Sequence, residues 1–112
     1  MDIETFREFC LSLPGTTEGI KWEHLCFMIE EKIFVIIALD EGNSLSTKCS
    51  AEEFVELTAR EGIQQAFHMA KRQWIQIANL DVLNDLELKK RVETSRGLVL
   101  AKLTKKVQEK YK

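Results

Sequence analysis

Hydrophobic residues at Ile3, Phe6, Cys10 and Leu13 recur every three or four positions behind Asp2, whose short acidic side chain suits a helix N-cap. The spacing predicts an amphipathic helix over residues 3–12. Pro14 and Gly15 end it, because proline disfavours helical geometry at the preceding residue and glycine permits a turn. From Trp22 the period changes to two. Leu25, Phe27 and Ile29 fall on one face, and Trp22, His24, Cys26 and Met28 on the other, as in a strand. The run "KIFVIIAL" is too short and too β-branched for a lone helix and reads as a second strand, buried over much of its surface. "DEGN" supplies turn chemistry at 40–43, and Leu45, Thr47 and Cys49 alternate with Ser44, Ser46 and Lys48 in a third strand. Three consecutive antiparallel strands are the expected nucleus of the sheet.

Ser50-Ala51-Glu52-Glu53 matches a capping box and opens a helix over about 51–60, with Phe54 and Leu57 on its buried face and Gly62 beyond its end. A loop through Gln64 and Met69 leads into "WIQIAN", a fourth strand in which Ile75 and Ile77 share a face. Asn84-Asp85-Leu86-Glu87 repeats the capping pattern, and no proline follows. Helix is therefore expected from about 85 to at least 104, with a break at Thr94-Ser95-Arg96-Gly97 giving two helices. The order α-β-β-β-α-β-α-α predicts an α+β fold in which helices pack on an antiparallel sheet.

Composition narrows the class. A chain of 112 residues with 45% hydrophobic side chains can bury one core without staples, so a single domain over 1–112 is expected. No apolar run approaches the roughly 20 residues of a membrane span, and "MDIETFREF" lacks the basic and apolar regions of a secretory signal. A cytoplasmic protein with no membrane partner is the expectation. Cys10, Cys26 and Cys49 are odd in number and far apart, which indicates reduced thiols rather than a disulfide framework or zinc ribbon. The formal charge of -2 conceals an asymmetry: residues 1–88 hold 7 Lys/Arg against 16 Asp/Glu, or -9, and residues 89–112 hold 9 against 2, or +7. The C-terminal end is the electropositive one.

Two sets of residues carry candidate chemistry. In "HMAKRQW" at 68–74, Lys71 and Arg72 suit phosphate contacts and Trp74 suits base stacking. Lys48 and the C-terminal cations Arg96, Lys102, Lys105 and Lys106 extend a phosphate-contacting surface of the kind that drives non-specific nucleic-acid binding. The plainer reading makes Trp74 a packing residue and the lysines solvated. The second set, Trp22, His24, Met28 and His68, marks a concave apolar pocket for a protein or small-molecule ligand, on a sheet face or in the groove between sheet and helices. His24, Cys26 and His68 lack recognisable metal-ligand spacing and a fourth ligand, so no metal is expected. The sequence establishes no proximity between Cys49 or Cys26 and His68 for a nucleophilic pair. The five glycines form no phosphate loop. No catalytic residue and no cofactor are assigned.

Five motifs stand in order along the chain: "LPGTTE" at 13–18, "EKIFVII" at 31–37, "STKCSAEE" at 46–53, "FHMAKRQW" at 67–74 and "SRGLVLAKLTKK" at 95–106. Together they resemble the YjbR/MmcQ family of small bacterial proteins over nearly the whole length. Glu31, Gln73 and the Ser95-Arg96 pair stand where that family commonly has glycine, histidine and a Ser-Tyr pair. The resemblance implies an α+β fold of the CyaY-like or double-wing kind and the description of a DNA-binding protein, and it implies no catalytic or ligand residues. The expected function is a non-catalytic module binding DNA weakly and salt-sensitively through the basic helix and Lys71-Arg72-Trp74. The alternative is a protein or small-molecule scaffold using a sheet face or a groove between sheet and helices.

Overall fold

Ten elements follow one another in the computed structural model, which describes every residue except Glu41, His68 and Lys112. They are α1 (Ile3–Ser12), β1 (Thr16–Lys21), β2 (His24–Ile29), β3 (Lys32–Ala38), β4 (Leu45–Lys48), α2 (Ala51–Thr58), β5 (Ile63–Gln65), β6 (Trp74–Ile77), α3 (Asp85–Ala101) and α4 (Lys105–Glu109). The strands form one antiparallel sheet in the order β1-β2-β3-β4-β6-β5. The α+β class and the helix-on-sheet arrangement are as the pattern predicts. Two strands were not anticipated. β1 reads as loop because its segment contains a glycine and a carboxylate and follows Pro14-Gly15, and β5 has only three residues.

Local chemistry sets the helix starts. Asp2 accepts from the Thr5 amide, Ser50 and Glu53 complete a reciprocal capping box, and Asn84 accepts from the Glu87 amide. The expected break at Gly97 does not occur. α3 runs through it to Ala101, and the interruption comes at Lys102–Leu103, where Thr104 caps a new helix. The reason lies in packing: Ser95 and Val99, on either side of Gly97, are both buried, so the helix is held where its propensity is weakest.

One face of the sheet carries Leu25, Phe27 and Ile29 of β2, Val35 and Ile37 of β3, Leu45 of β4, and Ile75 and Ile77 of β6. Phe6 and Cys10 of α1 and Leu88, Val92 and Val99 of α3 close over them, with Phe54 and Leu57 of α2 at the margin. A register shift beside Phe27 and Met28 leaves Phe34 unpaired as a bulge, and its ring enters the core. Ser95 occupies the junction of β3 and β4 just beyond their last pair, Val35 and Thr47. Its buried hydroxyl donates to the Phe34 carbonyl at 2.6 Å and accepts from the Lys48 amide at 2.7 Å, so one side chain joins α3 to two neighbouring strands. Arg91, 6% exposed, donates to Glu53 at 2.5 Å and ties α3 to α2. At the far end, Tyr111 donates to Glu30 at 2.5 Å and packs its ring against the Gly15 backbone, which folds α4 back onto the α1–β1 turn.

Candidate functional site

The strand alternation that fills the core leaves a second sheet face. Register aligns Gly19, Cys26, Ile36, Ser46, Gln76 and Gln64 in one cross-strand row over all six strands of that face. Above its middle lies a hollow of about 540 Å³ lined, among the described residues, by no helical one. Trp22 and Phe67 form its walls, and Ile36 and Met69 add apolar surface. His24, Ser44, Ser46 and Gln76 supply the polar part. This volume falls within the range of small-ligand sites, and its mixture of apolar wall and few polar groups is the usual composition of one.

The walls come from two connections rather than from strands. Trp22 and Glu23 form the two-residue turn between β1 and β2, with φ of 52° and 65°. Both torsions above zero match the turn that right-twisted hairpins favour, although asparagine and glycine usually occupy it. The consequence is that Trp22 lies not within a strand, as the alternation suggested, but on a hairpin tip, 74% exposed. Its carbonyl is 2.7 Å from His24 Nδ1. Because a carbonyl only accepts, Nδ1 carries the proton, and in the neutral ring Nε2 is left as an acceptor. Phe67, 77% exposed, stands on the connection between β5 and β6. On the floor, Gln76 accepts from the Gln64 amide at 3.2 Å through Oε1, which directs its own amide nitrogen elsewhere as a donor.

Of the pocket residues expected from sequence, Trp22 and His24 line the hollow. Met28 is buried farther along the same face, against Gly19, and His68 lies outside the described residues. Ile36, Ser44, Ser46, Phe67, Met69 and Gln76 were not singled out. Alternation alone places Ile36, Ser46 and Gln76 on the outer face, but only strand pairing makes them neighbours.

The residues expected to contact nucleic acid are dispersed in role. Trp74 is 8% exposed, opposite Lys48 in the ladder, and its position is that of a packing residue. Arg72 places its guanidinium 5.8 Å from the Phe54 ring centroid. Arg96 donates to the Pro14 carbonyl and lies over the Tyr111 ring, which assigns it to holding the C-terminal segment. Lys71 is exposed and lines a smaller hollow of about 470 Å³ that shares Phe67 and Met69 with the larger one. Lys105 and Lys106 are exposed in the first turn of α4. Lys48 and Lys102 are brought together: burial, then the adjacent Lys102 ammonium, pushes the Lys48 ammonium below its ordinary value.

The cysteines show no activation. Burial pushes the Cys10 thiol up to about 12, and burial is also the largest cause raising Cys26 and Cys49, with the Glu53 carboxylate adding to it at Cys49. Reactive cysteines need the opposite shift. Among the described residues no three His, Cys, Asp or Glu side chains gather as a metal site, and no helix is long and apolar enough to cross a membrane.

This architecture recurs in solved structures. The Deinococcus radiodurans protein DR2400, whose domain is designated DUF419, superposes with a TM-score of 0.88 at 21% identity, over 97% of this chain and 86% of its own. A protein from Pseudomonas syringae superposes with a TM-score of 0.74 at 20% identity, over 88% of this chain and 98% of its own. At such identities the likeness is one of fold. No curated protein matches the chain. The model of the YjbR family matches residues 11–98, a span that runs from the end of α1 through all six strands and into α3, so the chain belongs to the YjbR family.

Proposed function

We propose that this protein is a non-catalytic binding module whose ligand occupies the outer sheet face, between Trp22 and Phe67. One observation carries the reading: two large aromatic side chains are held exposed on opposite margins of a hollow of about 540 Å³, over a floor of strand residues. Exposed aromatic surface bordering a concavity is a mark of binding rather than of folding. Titrating ¹⁵N-labelled protein with indole and naphthalene, followed by amide chemical shifts, tests it. Shifts should concentrate at Trp22, Ile36, Ser46, Phe67 and Gln76 and be lost in Ser46→Trp, which fills the hollow from its floor. Shifts confined to other surfaces, or retained in Ser46→Trp, refute the reading.

A second reading, nucleic-acid binding at the basic end, is favoured by the Lys48 and Lys102 ammoniums, which stand beside each other. Two cations in contact gain from an anion that neutralises both. Fluorescence anisotropy with labelled single- and double-stranded DNA should then show binding that weakens steeply between about 50 and 200 mM salt. Lys48→Ala/Lys102→Ala should weaken it further across all sequences. Absence of binding at the lower salt rejects this reading.

A further inference from the structure

We propose that the ligand of the outer-face hollow is a neutral planar heteroaromatic ring with both donor and acceptor atoms on its edge, the chemical class of the nucleobases. This rests on the outer-face site and specifies its occupant.

Charge is the first ground. Among the described residues, none of the side chains that line the hollow is a carboxylate, an ammonium or a guanidinium, so an ionic headgroup would be desolvated there without a counter-charge from them. Hydrogen-bonding capacity is the second. With Nδ1 engaged by the Trp22 carbonyl, His24 offers an acceptor, whereas Gln76, its Oε1 engaged by Gln64, offers an amide donor. Ser44 and Ser46 contribute hydroxyls that serve either way. A purely hydrocarbon ligand would leave these groups unpaired, a ring bearing only donors would leave the Gln76 amide unpaired, and one bearing only acceptors would leave His24 unpaired.

The third ground is Trp22 itself. A bulky residue at φ 52° occupies a torsion that asparagine or glycine adopts with less strain, and its indole is left in solvent. Neither feature stabilises the hairpin. The Glu30-Glu31 turn shares this torsion, so the exposed indole, and not the backbone, is the sign of a side chain retained for contact with a ligand. A flat ring stacked on the indole, with Phe67 across the hollow, uses both faces of the π-system. The neighbouring hollow adds direction, since Lys71 stands beside Phe67 and Met69 where a phosphate attached to the ring would reach it.

The test follows Trp fluorescence of the whole protein. Trp74 is buried, so quenching reports Trp22, and Trp22→Phe supplies the baseline. Adenosine, guanosine, cytidine and thymidine, their 5′-monophosphates, a single-stranded hexanucleotide and naphthalene are titrated separately. The expected result is saturable quenching by at least one nucleoside, weakened about tenfold in Gln76→Ala, the loss of about one hydrogen bond; in Trp22→Asn, which lacks the reporting indole, a loss of about tenfold, that of one stacked base, is read from the amide chemical shifts of Ile36, Ser46 and Gln76. Trp22→Asn, read by calorimetry, should melt no lower than the parent, because asparagine suits the turn. Stronger binding of a monophosphate, cancelled by Lys71→Ala, would identify a free nucleotide as the source, and preferential binding of the hexanucleotide would identify a strand. Naphthalene binding without any nucleoside binding overturns the nucleobase class while leaving the outer-face site intact. Failure of every probe overturns both.

Discussion

Ser95 shows how much one hydroxyl can do when it is buried between strands. It bridges β3 and β4 just beyond their last pair, Val35 and Thr47, donating to the Phe34 carbonyl and accepting from the Lys48 amide. Ser95→Ala deletes both bonds without removing the backbone groups that need them, which costs about 1–3 kcal/mol for each group left unsatisfied. A fall of that order in unfolding free energy, from urea denaturation, is the expected outcome, and an unchanged midpoint would dissociate the serine from strand closure. The three thiols provide a second test at this scale. All are buried and all are shifted upward, so they should react with a disulfide exchange reagent at mildly alkaline pH only as fast as the protein opens. Labelling that goes to completion in the folded protein would contradict their placement.

Among the elements, α3 is the one whose sequence and course disagree most. Gly97 is exposed, and a Cβ added there meets nothing within 4 Å, so the glycine serves neither a turn nor a close approach. Gly97→Ala should stabilise the protein by about 0.5–1 kcal/mol through helix propensity and a less flexible unfolded chain, read as a higher melting temperature. Gly15 is the opposite case. Its φ of 78° and the Tyr111 ring, 2.2 Å from where a Cβ would sit, make any side chain incompatible with the docked C-terminal segment. Gly15→Ala should therefore destabilise the fold, and Gly97→Ala should not offset it fully. The two hairpin turns belong to this scale too: Trp22-Glu23 and Glu30-Glu31 both have φ above zero without asparagine or glycine, so the pairing of β1, β2 and β3 imposes the turn geometry on residues with little preference for it.

Over the whole molecule, ion pairs link elements that are distant in sequence, and their effect is read in the pH dependence of stability. Arg7 holds the Glu18 carboxyl down, and Arg60 does so for Glu87. Burial works to raise Glu53, but its bonds with Arg91 and Ser50 outweigh this and leave it lowered. Carboxyls depressed in the folded state contribute stability that is present above their unfolded values and lost as pH falls through the folded ones. The urea midpoint should thus decline from about pH 5 toward pH 3, because unfolding takes up protons there. Glu53→Gln should flatten part of that decline.

By itself, the order of residues determined which side chains face the core and where the first three helices begin. Leu25, Phe27 and Ile29, Ile75 and Ile77, and the caps at Asp2, Ser50 and Asn84 all lie where the pattern put them. These features are local: period two or 3.6 and a hydroxyl or carboxylate beside free amides operate over a few neighbouring residues. The motifs along the chain likewise carried the family. Tertiary structure alone decided the rest. β1 and β5 are strands because β2 and β6 lie alongside to pair with them, and α3 passes Gly97 because Ser95 and Val99 are anchored. Trp74 is buried and Trp22 exposed because a hairpin turn, and not the alternation, sets the position of the latter. The hollow exists only where Ile36, Ser46 and Gln76, each from a different strand, meet two distant connections. Such neighbours are selected by long-range pairing and burial, to which residues adjacent in sequence contribute no comparable signal.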